Sequence, residues 1–147
     1  MTDIEAVLAS IPMFRHLGAG RRARLAQFFC RRTYAPGAVI VRQGDTSMSF
    51  YVVLSGKVRV IRQSPGDDGI DIVEEGPGGF FGEMGVIDDL PRAATVVALA
   101  PTECGLLAKW DFQRELSADP GIALSLISVL NARIRTLEDR LTATGGA

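Results

Sequence analysis

Two periods divide the chain. Residues 2–9 place Ile4, Val7 and Leu8 on one face of a helix. Thr2 with Glu5 three positions on has the form of a capping box, and Pro12 stops the element. Ile11, Phe14 and Leu17 then read as anchors onto a larger body. Residues 20–29 read as a second helix, with Leu25, Phe28 and Phe29 inward and Arg21, Arg22 and Arg24 outward. His16 lies between these helices. It is the only histidine and reads as a satisfied surface group rather than a catalytic one.

From residue 31 the period changes to two. Residues 39–41 form a buried-looking strand that leads into Gln43, Gly44 and Asp45. Residues 50–54 form an apolar strand ended by Ser55 and Gly56. Residues 57–63 alternate, with Val58, Val60 and Arg62 on one face and Arg59 and Ile61 on the other. A polar loop at 64–69 precedes a strand at 70–75. Two further β-rich runs, 94–100 and 102–107, are separated by Pro101. Short strands at regular spacing, punctuated by Gly and Pro, predict an antiparallel sandwich or jelly roll.

The period returns to that of a helix at 110–116, and the break is Asp119-Pro120-Gly121. The last and longest helix is predicted over 121–142. Ala123, Ile127, Leu130, Ile134, Leu137 and Leu141 recur at alternating steps of four and three, which is a heptad seam. Ile at a and Leu at d favour a parallel pair of helices, with Arg133 at g able to meet Glu138 at e of a partner. A second stripe of Ile122, Leu126 and Val129 can pack on the chain's own body. The pattern predicts a homodimer through helix 121–142, the alternative being that the heptad stripe itself packs on the chain's own barrel.

Composition sets limits. The chain has 147 residues, 47% hydrophobic and 22% charged, which suits one domain with one sizeable core. A net charge of −1 supplies no global field toward nucleic acid or anionic lipid. No apolar run approaches the roughly 20 residues that span a membrane. The start M-T-D-I-E-A is acidic and polar, unlike a signal peptide, so the cytoplasm is the expected location. Cys30 and Cys104 read as two buried, reduced thiols.

The candidate chemistry is concentrated in G-G-F-F-G-E-M-G-V-I-D-D-L-P-R-A-A-T-V-V, residues 78–97. Gly82 and Gly85 let backbone approach a ligand closely. A helical turn beginning at Glu83 leaves N–H groups unpaired, and Arg92 brings a planar fork of donors suited to a phosphate. An acceptor and a donor nine positions apart suit a ligand with a hydroxyl and a phosphate, as in a ribose cyclic phosphate.

This stretch resembles the phosphate-binding cassette of cyclic-nucleotide-binding domains, the family of catabolite activator sensor domains, cyclic-AMP-dependent kinase regulatory subunits and cyclic-nucleotide-gated channels. The strand–turn–strand run V-I-V-R-Q-G-D-(x)5-Y-V-V-L-S-G-K-V-R-V is similar to the family core, and the likeness covers about residues 5–137. It implies a mainly β fold with flanking helices: an antiparallel β jelly roll (double-stranded β-helix) with N-terminal helices at 1–30, the jelly roll at 31–108 with its cassette at 80–95 and a short cassette helix, and C-terminal helices at 110–142, the last one long. It places Glu83 at the ribose 2′-hydroxyl acceptor, Arg92 on the cyclic phosphate, and Gly82, Met84, Gly85 and Ala93 on cassette backbone positions. Many members carry Ala where this chain has Gly85. Arg133 falls where some channel domains stack an arginine on the base, and Leu137 and Glu138 where activators contact adenine; Arg133 cannot serve both the base and a partner carboxylate. Val73, Phe81 and Met84 are candidates for the apolar wall beside the base, each equally readable as core. A threonine after the cassette arginine accompanies cyclic GMP in the family. Ala93 stands there, which points to cyclic AMP, with cyclic GMP the alternative.

The resemblance implies a regulatory sensor whose last helix transmits the signal. The alternatives are an interaction or dimerisation domain with a degenerate pocket, or the sensor fragment of a transcription factor or channel. Six residues follow Leu141 and carry no recognition helix, so this chain alone is not expected to read DNA. Enzyme classes fit poorly. A cupin-type metal site needs several histidines, and a Ser or Cys nucleophile would need His16 as its base. No metal ligands for a phosphodiesterase are visible, so neither a catalytic residue nor a metal or cofactor is expected. Two cysteines are also too few for the four-thiolate cluster of redox-sensing relatives.

Overall fold

The computed structural model describes residues 3–63 and 70–143, with the side chains of Ile70, Asp71 and Met84 outside that description. Helices α1 (Ile4–Ser10) and α2 (Ala19–Ala26) precede strands β1 (Cys30–Tyr34), β2 (Val39–Val41), β3 (Ser49–Ser55), β4 (Val58–Gln63), β5 (Ile70–Glu75) and β6 (Phe80–Phe81). The short helix α3 (Glu83–Asp88) follows. Then come β7 (Thr95–Ala98), β8 (Thr102–Ala108), α4 (Lys109–Ala118) and α5 (Pro120–Ala143). The expected polar loop at 64–69 lies outside the described residues.

The strands form two four-stranded antiparallel sheets, ordered β1-β8-β3-β6 and β2-β7-β4-β5. With helices at both ends of the chain, this is the antiparallel jelly roll expected. Strand β3 explains why one apolar run can serve two cores. Its side chains alternate between faces, and both faces are covered. Phe50, Val52 and Leu54 join a cluster with Leu8, Phe14, Leu25, Phe112 and Ile122 of the helical layer. Tyr51 and Val53 join Val58, Phe81, Val96, Cys104 and Leu106 between the sheets. Phe50 is the hub of the first cluster: Phe112 stacks on it at 4.7 Å, Phe80 lies at 5.8 Å and Phe14 meets it edge-on at 6.1 Å.

Ile11, Phe14 and Leu17 are buried, as the anchor reading requires, and so is Met13. Ile122 and Leu126 bury the start of α5 in the same cluster, and Leu130 packs against it. The heptad seam is thereby divided: its Leu130 is used within the chain, while Ile127 and Ile134 stay about half exposed.

Several local expectations are corrected. Asp3 caps α1, its carboxylate accepting from the Glu5 N–H at 3.0 Å, and Thr2 lies outside the described residues. An Asp accepts there as well as a Thr does, so the cap moved by one residue. Helix α2 ends at Ala26, which leaves Phe28 exposed under the Arg114 guanidinium, 4.8 Å from its ring centre. Val39 is exposed because β2 is an edge strand. Cys30, on edge strand β1, is exposed rather than buried; Cys104 is buried, and burial pushes its thiol up to about 12. Both are free. Among the described residues no helix is long and apolar enough to cross a membrane.

Truncating the hub, Phe50→Ala, should destabilise the chain by about 3–5 kcal/mol, read as a lower urea midpoint at unchanged m-value. A disulfide-exchange thiol titration should count one fast thiol in the native state, Cys30. The second should appear only on unfolding, because a buried thiol with a raised pKa presents almost no thiolate.

Candidate functional site

A cavity of about 540 Å³ opens between the β4–β5–β7 side of the second sheet, the β6–α3 corner and the outer half of α5. That lies within the range of small-molecule pockets. Its floor is set by one glycine. Gly82 caps α3 with φ 90, in the left-handed region, and a Cβ there would come within 2.5 Å of Arg92 Nη1. Any side chain would be strained and would push Arg92 away. The turn brings Glu83 to the first position of α3 with 3% of its surface exposed. Asp89, with φ 57, closes this short helix.

Arg92 is 7% exposed although it is a permanent cation. Its Nη1 donates to the Ser49 carbonyl at 2.9 Å, and its guanidinium lies 5.2 Å from the centre of the Tyr51 ring. Tyr51 is stacked in turn on Phe81 at 4.8 Å. The backbone of Arg92 is tied to the β2–β3 loop: its N–H donates to the Asp45 carbonyl at 2.7 Å, and Gly44 N–H donates to the Arg92 carbonyl at 2.9 Å. Burial draws the guanidinium below its ordinary value, with Tyr51 and Asp45 opposing the shift. The group is held in place by a carbonyl and a ring face, neither of which neutralises it.

Across the cavity, Arg133 of α5 reaches down to Glu83. Its Nη1 donates to Glu83 Oε1, and its guanidinium lies 5.3 Å from the centre of the Phe80 ring. Arg133 thus sits on a carboxylate of its own chain. Glu75 of β5 also lines the cavity. Burial raises its carboxyl above the ordinary range, with Arg133 opposing and Glu83 adding to the rise.

Of the residues singled out in the sequence, Gly82, Glu83, Gly85, Arg92, Ala93 and Arg133 all line this one cavity. Met84 lies in α3, but its side chain is outside the described residues. Val73 and Leu137 line it with more than 40% of their surface exposed, while Phe81 lines it and belongs equally to the core. Glu138 is exposed on α5 and is not part of the lining. Sequence reasoning missed Ser47, Glu75 and the two ring platforms, Tyr51 and Phe80. The rings were legible only as apolar strand positions. Ser47 belongs to a segment far from the cassette in sequence, and Glu75, a few residues before the cassette, reads only as the end of a strand. His16 lies 3.8 Å from Asp119 at the helical end, away from the cavity.

Comparison with known proteins agrees with this geometry. The family profile described as "Cyclic nucleotide-binding domain" matches residues 31–119, from β1 to the end of α4. A cyclic AMP receptor protein of Thermus thermophilus is 35% identical over 124 residues, 84% of this chain and 57% of its own length. A cAMP-dependent protein kinase regulatory subunit of Dictyostelium discoideum is 37% identical over 113 residues, 75% of this chain and 35% of its own. The crystal structure of the Thermus thermophilus catabolite activator protein superposes with a TM-score of 0.81 at 33% identity, covering 90% of this chain and 62% of that one. The chain spans between about a third and just over half of the length of these two relatives. The match over these sheets and the cassette stretch shows that the chain belongs to the cyclic nucleotide-binding domain family.

Proposed function

We propose that the cavity takes cyclic AMP and that the chain is a regulatory sensor for it, with α5 as the element that registers occupancy. The observation that carries this reading is the buried Arg92 guanidinium, with no carboxylate at ion-pair distance among the described residues, in one cavity with the buried Glu83 carboxylate. A cation held out of water is costly unless an anion meets it. A cyclic phosphate supplies that anion and accepts two parallel N–H donors from the guanidinium. Glu83 keeps one carboxylate oxygen on Arg133 and has further acceptor capacity for a ribose hydroxyl. The backbone of Gly82, Met84 and Gly85 lies between the two, and Ala93 lets the sugar-phosphate approach closely.

The base end of the site is apolar. Val73 and Leu137, exposed toward the cavity, would be covered by a purine. Arg133, already lying over one ring, is placed at the mouth to lie over a second. The absence of a hydroxyl at Ala93 and the names of the relatives, a cyclic AMP receptor and a cAMP-dependent kinase regulatory subunit, favour the adenine nucleotide. No role in nucleic-acid binding is assigned to this chain.

Calorimetric titration of nucleotide-free protein tests the reading. Cyclic AMP should bind at micromolar or lower Kd and more tightly than cyclic GMP. Arg92→Ala should lose about 2–5 kcal/mol, roughly 30-fold to several-thousand-fold in Kd. Absence of binding by the unaltered chain overturns the sensor reading and leaves an interaction domain with a degenerate pocket.

The exposed stripe of α5 supports a homodimer. Ile127 and Ile134 lie on the face left free once Leu126 and Leu130 have packed inward. Sedimentation should find a dimer at tens of micromolar, and the double variant Ile127→Asp, Ile134→Asp a monomer. A monomeric wild type over the same concentrations excludes that interface.

A further inference from the structure

Ser47 occupies space that exists only because residue 85 is glycine. A Cβ at Gly85 would stand 2.2 Å from Ser47 Oγ, 2.4 Å from Ser47 Cβ and 2.9 Å from the Leu90 carbonyl oxygen. Those separations are far inside contact distance, so a methyl at 85 and the hydroxymethyl at 47 exclude each other. Ser47 is 4% exposed and lines the cavity. Its hydroxyl is one of two buried side-chain polar atoms without a hydrogen-bond partner among the described residues. Buried hydroxyls are nearly always partnered, and an orphan destabilises the fold unless something else meets it.

The position of Ser47 indicates what that is. The loop carrying it is fastened to the backbone of Arg92 two residues earlier, through Asp45. On its other side it touches Gly85, in the first turn of α3. Ser47 therefore lies between the guanidinium and the cassette backbone that are proposed to hold a phosphate. Residue 93, the neighbour of Arg92 facing the same cavity, is an alanine and has no hydroxyl to offer.

We propose that Ser47 is a phosphate-binding residue: its Oγ–H donates to a phosphoryl oxygen of the bound cyclic nucleotide, beside the Arg92 guanidinium. This rests on the reading of the cavity as a cyclic nucleotide site. An O–H donor to a charged oxygen makes a stronger bond than one to a neutral acceptor. Nothing must be broken to form it, because the hydroxyl has no partner among the described residues beforehand, and rotation about the Cβ–Oγ bond aims its hydrogen. The cost of the orphan in the empty protein becomes affinity in the filled one.

The test compares the wild-type chain with Ser47→Ala, both free of nucleotide at the start. Calorimetry is run with cyclic AMP and with its two phosphorothioate diastereomers, in which sulfur replaces one or the other exocyclic oxygen. The variant should bind cyclic AMP about tenfold more weakly or worse. One diastereomer should bind the wild type more weakly than cyclic AMP does, with that penalty reduced or absent in the variant. The other should show the same penalty in both. Without nucleotide, Ser47→Ala should melt no lower than the wild type, because it removes an orphan and no bond. Affinity and intrinsic stability thus move separately, which a purely structural serine would not produce. Unchanged cyclic AMP affinity in the variant, with the wild type binding normally, overturns the assignment and marks Ser47 as a packing residue. Equal sulfur penalties in both proteins for both diastereomers overturn it as well. Absence of binding by the wild type overturns the sensor reading and this assignment together.

Discussion

A guanidinium held away from water is the constraint that most of the site depends on. Arg92 could be solvated freely at a surface; instead it is nine-tenths buried on one carbonyl and one ring. Three separate features serve that placement. Gly82 must lack a side chain, or its Cβ would meet Nη1. Tyr51 must face into the space between the sheets, which the alternation of β3 ensures, and it is steadied by Phe81. The Asp45 strap must hold the backbone after a chain crossing of 47 residues, from position 45 to position 92. None of these contacts is an ion pair, although the Asp45 charge favours the cation. The arrangement stabilises an empty fold poorly and an anion well, because a fixed donor set loses little freedom when the anion arrives.

The stability that tolerates such a site comes from elsewhere. The Phe14, Phe50, Phe80 and Phe112 cluster lies on the opposite face of β3 from Tyr51. One strand thus carries the strongest part of the core on one side and the ring beneath Arg92 on the other. The coupling is mechanical as well as energetic, since a dense core does not deform gradually. Phe80 adds a further link, with one face of its environment in the aromatic cluster and the Arg133 guanidinium on its ring.

Much of this was legible in the residues. The period of two between 31 and 108 gave the strands, and the Gly82–Ala93 stretch gave five of the residues that meet in the cavity. What could not be read has a common physical cause. Phe28 and Phe29 are adjacent and equally apolar, yet α2 ends before them and only Phe29 turns inward. Cys30 and Val39 look like core until sheet order places them on edges. Ser47 looks like any loop serine; its significance depends on a glycine 38 positions later that never enters a local window. Arg133 was legible as important but not in its partner, because a helical wheel does not show that its side chain reaches Glu83 of α3. Periodicity reports a residue's own element, and each miss depended on a second element.

The Arg133–Glu83 pair gives α5 its part in the chemistry. The start of this helix is fixed in the core by Ile122 and Leu126, while its side chains from 131 onward are exposed. Between these two regimes, one guanidinium ties the helix to the carboxylate proposed to meet the ribose. The Arg133 side chain is 44% exposed and its partner 4%, so the pair is screened on one side only. A ligand that hydrogen-bonds to Glu83 changes the field felt by Arg133, and a base stacked near Phe80 competes with or extends the contact that Arg133 already makes. Either change has a different free energy for the docked and the released helix, which is what coupling between a ligand and a distant surface requires. If nucleotide shifts α5 as proposed, then by reciprocity a second copy that holds the helix from outside alters nucleotide affinity by the same factor. The exposed Ile127–Ile134 face and the cavity lie less than two turns apart on one helix, so in the proposed sensor a partner at the first would act as an effector of the second.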